Sequence, residues 1–163
     1  MKVRTNKNKV AKATFEAIGA DINSQVIEIE DLKEKIQTGE VQAGEGIYSR
    51  IYPLEQDQVT EAVLDTKHSL FLTGMIMRND FYKTLSPEVQ AVIKDAAIKA
   101  GRKERETTIQ DGEDAKEKLK AEGKQIYELT QEETDEFKEK TKVVYEKFKN
   151  TFTPGLIDKI KKA

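Results

Sequence analysis

The amino-acid sequence predicts an α/β fold, a mainly parallel sheet flanked by helices, with one helix of unusual length added to it. Three observations carry that reading. Brief apolar runs at period 2 switch repeatedly to helical spacing in the first third of the 163 residues. The intervals between strand candidates are helix-sized, and parallel strands need crossovers of that length. After Pro87 no proline occurs before Gly123, so one helix of about 35 residues, ~50 Å at 1.5 Å per residue, fits the interval opened by Ser86.

Taken in chain order, Lys2 to Thr5 forms the edge of a strand. Asn8 to Ile18 places Val10, Ala13, Phe15, Ala17 and Ile18 close to one helical face, and Gly19 supplies a stop. Val26 to Ile29 is a short strand or the start of the next helix, where Ile29, Leu32 and Ile36 repeat at helical spacing before Gly39. Val41 to Gly46 carries two glycines, a composition that suits a strand end where the backbone turns or approaches something closely. Ile47 to Leu54 is a short helix or turn broken by Pro53. Ala62 to Arg78 is the most strand-like stretch, with Ala62, Val63 and Leu64 and then Leu70 to Met77.

Ser86, Pro87 and Glu88 open the long helix with a side-chain acceptor at the N-cap, proline at N1 and an acid in the positive first turn. Its ends are amphipathic, with Val89, Val92, Ile93, Ala96 and Ala97 early and Ala115 and Leu119 late. The middle is polar and contains Gly101 and Gly112. Such a helix is expected to dock on two separate bodies or to break at a glycine. Gln125 to Leu129 then alternates as a strand, and Thr130 with Glu133 makes a capping box for a helix to about Asn150. Phe137, Thr141, Val144, Tyr145 and Phe148 share a face of that helix. Pro154 restarts a terminal helical turn through Leu156, Ile157 and Ile160. The expected organisation is a core over 1–85, the spanning helix over 86–123, and a strand and helices over 124–163 packing back on the core.

Composition narrows the function. Lys and Arg total 28 against 30 Asp and Glu, a net charge of −2, without the basic excess of a nucleic-acid grip. The chain has no cysteine and a single histidine, so thiol chemistry, a histidine or cysteine metal centre and a Ser/His/Asp triad are not expected. No phosphate loop, dinucleotide glycine pattern or nucleophile elbow is present, and the sequence reads as a non-enzyme without cofactor. No apolar run approaches the ~18–20 residues of a membrane span.

Arg4 stands apart from the helix-surface charges because it lies at the start of a short strand with apolar flanks. Its planar fork of donors can grip a carboxylate through two charge-assisted hydrogen bonds, which lysine cannot do. From position alone the favoured reading is a surface arginine near a mobile N-terminus, and Arg50 and Arg78 share the ambiguity. His68, between Lys67 and Ser69, reads as a loop or rim residue.

Lys2 to Arg4, Thr14-Phe15-Glu16-Ala17-Ile18-Gly19-Ala20, Gln37-Thr38-Gly39-Glu40-Val41-Gln42-Ala43-Gly44-Glu45 and Leu85-Ser86-Pro87-Glu88-Val89-Gln90 resemble, in that order, the second half of TRAP (tripartite ATP-independent periplasmic) transporter solute-binding proteins. The closing Tyr145-Glu146-Lys147-Phe148 and Pro154-Gly155-Leu156-Ile157-Asp158 are similar to the family's last segment. The resemblance implies a lobe of a periplasmic binding protein, with two lobes closing on an organic acid, a long helix spanning both, and delivery to membrane permease subunits. It implies that Arg4 clamps the substrate carboxylate, with Gly46, Tyr48 and His68 as neighbours and Gly46 where the family usually has asparagine. The familiar aromatic before the second helix is Ile29 here. Only three residues precede Arg4, so the chain reads as a fragment of a periplasmic receptor, with no signal peptide in the chain. The alternative is a truncated helical module that binds no small ligand. In either case the apolar surface left by an absent lobe is expected to favour a homodimer.

Overall fold

The computed structural model describes residues 1–19 and 22–162. Ala20, the last residue of the Thr14 motif, lies outside the described residues. β1 (Lys2–Thr5) is the central strand of a three-stranded sheet, parallel to β2 (Asn23–Val26) on one side and to β3 (Ala43–Gly44) on the other. α1 (Lys9–Ile18) connects β1 to β2, with Asn8 Oδ1 accepting from the Val10 N–H at its N-cap. A 3-10 turn and α2 (Leu32–Gln37) connect β2 to β3.

β4 (Ala62–Asp65) and β5 (Gln125–Glu128) make a second parallel pair, in register from Ala62 opposite Gln125 to Asp65 opposite Glu128. The parallel arrangement is as expected, but the described strands divide between two sheets. α3 (Asn79–Thr84) and α4 (Pro87–Ala121) lie between them. α5 (Gln131–Phe148) packs along α1, and α6 (Leu156–Lys161) ends the described chain.

Two expectations move. The second strand lies at Asn23–Val26, three residues before Val26 to Ile29, because pairing with β1 selects Ser24, which is buried, over the more apolar residues that follow. The strand expected through Arg78 stops at Asp65. Leu70, Phe71, Leu72, Met75, Ile76 and Met77 are exposed and form no strand, because a strand forms only where a neighbour accepts its hydrogen bonds.

α4 runs unbroken for 35 residues through Gly101 and Gly112. Ser86 Oγ accepts from the Val89 N–H at its start. At its end Gly123, at φ +78°, allows the Lys124 N–H to reach the Leu119 carbonyl and its own N–H to reach that of Lys120. Only the C-terminal half is seated, with Ala115 and Leu119 buried against the turn at 48–51 and β5. Val89, Val92 and Ile98, on the N-terminal half, are exposed.

Gly44 holds the sheet against α2. A Cβ there would stand 2.7 Å from Leu32 Cδ2, and Leu32 is itself buried, so a side chain opposite Arg4 would force Leu32 to repack.

Candidate anion site at Arg4, Glu45 and His68

Parallel pairing draws three distant segments to the end of β1. Arg4 is central in the sheet and only 5% exposed. Its Nε donates to the Ile27 carbonyl at 2.7 Å, just past β2, and its Nη1 donates to the Glu45 carbonyl at 3.2 Å, just past β3. Two of the five guanidinium N–H groups are thereby fixed by main chain, and no bond among the described residues takes the other three. Burial lowers the Arg4 pKa, against the raising effect of the nearby carboxylates of Glu45, Glu28 and Glu30.

The Glu45 carboxylate accepts from the Asn6 N–H at 3.2 Å and lies 3.3 Å from His68 Nε2. His68 Nδ1 is 2.5 Å from Thr66 Oγ1, and its ring meets Phe15 edge to face at 5.2 Å between centroids. The histidine is thus held from three sides. Its side chain is 17% exposed and that of Glu45 10%, so His68 stands in a loop, as the sequence suggested, and is a packed member of the cluster. Burial pushes the Glu45 carboxyl up, but the hydrogen bond from His68, the Asn6 N–H and the charges of His68 and Arg4 outweigh it, leaving the pKa below the ordinary 4.5.

A carboxyl whose pKa is depressed on folding adds stability that is complete above its unfolded value and is lost as pH falls through its folded value. Glu45→Gln is therefore expected to flatten the acid limb of the stability curve as pH falls below the ordinary carboxyl value of 4.5. Urea unfolding at stepped pH measures this, and an acid limb as steep in the variant as in the parent would show that Glu45 contributes nothing to it.

Of the residues singled out in the sequence, Arg4 and His68 meet through Glu45. Gly46 follows Glu45 directly and has Gln56 Oε1 3.7 Å from where its Cβ would be. Tyr48 makes its contacts under α4, where Lys116 Nζ stands 4.8 Å from its ring centre and pairs with Asp65 at 3.4 Å. Burial and the neighbouring Asp65 push the Tyr48 hydroxyl up to about 12. Arg50 pairs with Glu30 at 3.3 Å, and Arg78 pairs with Asp80 in solvent.

Glu45, Asn6 and Thr66 are the members sequence reasoning missed as site residues. Glu45 was visible only as part of a motif, one among 30 acids. Among the described residues no group of three or more His, Asp or Glu side chains is placed to hold a metal ion.

The chain is similar to known proteins over most of its length. The chain is 30% identical over 152 residues to the ectoine-binding periplasmic protein TeaA of Halomonas elongata, covering 90% of this chain and 43% of that protein. The structure of the ectoine-binding protein of the Halomonas elongata TRAP transporter superposes with a TM-score of 0.84 at 28% identity, over 94% of this chain and 50% of that one. A TRAP periplasmic solute-binding protein from Roseobacter denitrificans, with bound 3-deoxy-D-manno-oct-2-ulosonic acid, superposes at 0.88 and 22% identity, over 98% of this chain and 52% of that one. The chain thus spans about half the length of these relatives. Proteins of this kind are solute-binding components of transport systems and not enzymes. The family model for bacterial extracellular solute-binding proteins, family 7 (DctP), matches residues 1–151, and the chain belongs to that family.

Proposed function

We propose that this chain supplies most of one lobe of a TRAP-type receptor, in which Arg4 grips the carboxylate of an organic acid for delivery to membrane permease subunits. The observation that carries the proposal is the buried guanidinium held at two N–H groups by main-chain carbonyls with three left over. An arginine fixed this way has already lost its rotamer freedom before a ligand arrives, which lowers the cost of binding. His68 and Asn6 hold the Glu45 side chain, and Glu45's own carbonyl holds Arg4, so Glu45 and His68 act as positioning residues. Ectoine, named for the Halomonas relatives, carries a carboxylate, which is compatible with this chemistry.

In this reading residues 1–85 and 124–163 form the lobe and 86–123 the strut. The exposed apolar residues from Leu70 to Met77 and on the first half of α4 form the face that a second body covers, and relatives about twice as long offer one in the same polypeptide. That assignment takes the place of a homodimer. The receptor is periplasmic, as its named relative is.

The test is calorimetric titration of the full receptor with a panel of small organic acids, ectoine included. Arg4→Lys keeps the charge but loses the fork, and affinity for the best ligand is expected to fall about tenfold or more, one to two charge-assisted hydrogen bonds' worth. Retained affinity in Arg4→Lys would remove the clamp assignment.

A further inference from the structure

A cavity of about 390 Å³ opens between α1, α5 and the loop that follows β4. Six of its thirteen described lining residues lie on α5, two others, Thr66 and His68, belong to the cluster around Glu45, and Arg4 and Glu45 themselves do not line it. Its volume lies within the ~300–1,000 Å³ of small-molecule pockets.

The chemistry of the wall is selective. Val10, Phe137 and Phe152 give it an apolar body. Thr14 and Thr141 also line it, but their hydroxyls already donate to the carbonyls of Val10 and Phe137 in their own helices, leaving them to offer methyl groups and oxygen lone pairs. Two cations, Lys67 and Lys138, stand in the lining, and among the described residues no aspartate or glutamate does. Lys138 has a solvent-exposed partner in Asp135 at 3.6 Å, a pair that contributes little. Among the described residues Lys67 has no ion-pair partner. In a chain where acids outnumber bases, 30 to 28, a partly apolar cavity with cations and no acid is complementary to an anion.

We propose that this cavity is a second ligand site beside the Arg4 cluster, which it meets at Thr66 and His68, for a small carboxylate with an apolar or aromatic body. The ring or branched chain lies between Val10, Phe137 and Phe152, and the carboxylate meets Lys67. The inference does not depend on the role given to Arg4.

The probe is 4-fluorophenylacetate, followed by fluorine NMR and by protein amide and methyl shifts, with 4-fluorophenylacetamide as its neutral counterpart. Saturable shifts centred on Val10, Thr14, Phe137 and Thr141 are expected, with the amide binding about fivefold weaker or less tightly still, as loss of a charge-assisted contact implies. Lys67→Gln, on an exposed side chain whose loss leaves the fold intact, is expected to reduce carboxylate affinity to that of the amide. Thr141→Trp, which fills the cavity, is expected to abolish binding of both. No saturation up to about 10 mM, a dissociation free energy below roughly 3 kcal/mol, would overturn the proposal. Equal affinity for acid and amide, or shifts unchanged by Lys67→Gln, would overturn it as well.

Discussion

Leu119→Ala is expected to destabilise the protein by roughly 2–5 kcal/mol, the range of large-to-small changes at fully buried sites. Leu119 is 0% exposed, and with Ala115 it makes up the whole buried face of a helix 35 residues long. No other residue of α4 is buried, and Val89, Val92 and Ile98 on its N-terminal half are exposed, so the seat at 48–51 and β5 must hold it in place. The same residue lends its carbonyl to the Lys124 N–H in the turn that leads into β5, so a cavity there loosens the second sheet as well as the strut. Urea unfolding followed by circular dichroism measures the loss. A change below about 1 kcal/mol would mean that α4 is held by its ion pair and ring contacts instead of by this apolar anchor.

Arg4→Ala is the second large effect, and its size comes from the acceptors it leaves behind. The carbonyls of Ile27 and Glu45 accept from Arg4 at 2.7 and 3.2 Å, and each buried acceptor deprived of its donor costs about 1–3 kcal/mol. The Glu45 carboxylate loses a neighbouring positive charge in the same step. A destabilisation of about 2–5 kcal/mol is therefore expected, together with loss of organic-acid binding in the full receptor. Because unfolding alone would remove binding, stability and affinity are to be measured on the same sample below its unfolding transition. A variant as stable as the parent would show that Arg4 is not structurally engaged, against the geometry of the sheet end.

Local signals in the sequence specified the long helix. Ser86 and Pro87 at its start and Gly123 beyond its end act within one turn, and the helix has those limits. The Thr130 and Glu133 capping box at the start of α5 is equally local and equally present. The parallel arrangement of the strands was also legible, since helix-length crossovers permit little else. Strand positions were not. Leu70 to Met77 has the composition of a strand and lies exposed, whereas Asn23 to Val26 is polar and is a strand, because pairing with β1 decides the matter.

The candidate site divides along the same line. Arg4 could be singled out by residue type and by its place on a short strand, and its likeness to a family pattern gave it a role. Its burial and its anchoring depend on main-chain carbonyls 23 and 41 residues away, and a carbonyl carries no mark in a sequence. Glu45 and His68, 23 residues apart, become partners only once β1 and β3 are paired and the loop after β4 is folded over Phe15. What the sequence by itself determined was the set of helices, their caps and the arginine; tertiary packing decided which strands pair, which acid faces the histidine, and which apolar residues remain uncovered. Caps and periodicity are written in neighbouring residues, whereas pairing and burial depend on atoms that meet only when the chain is folded.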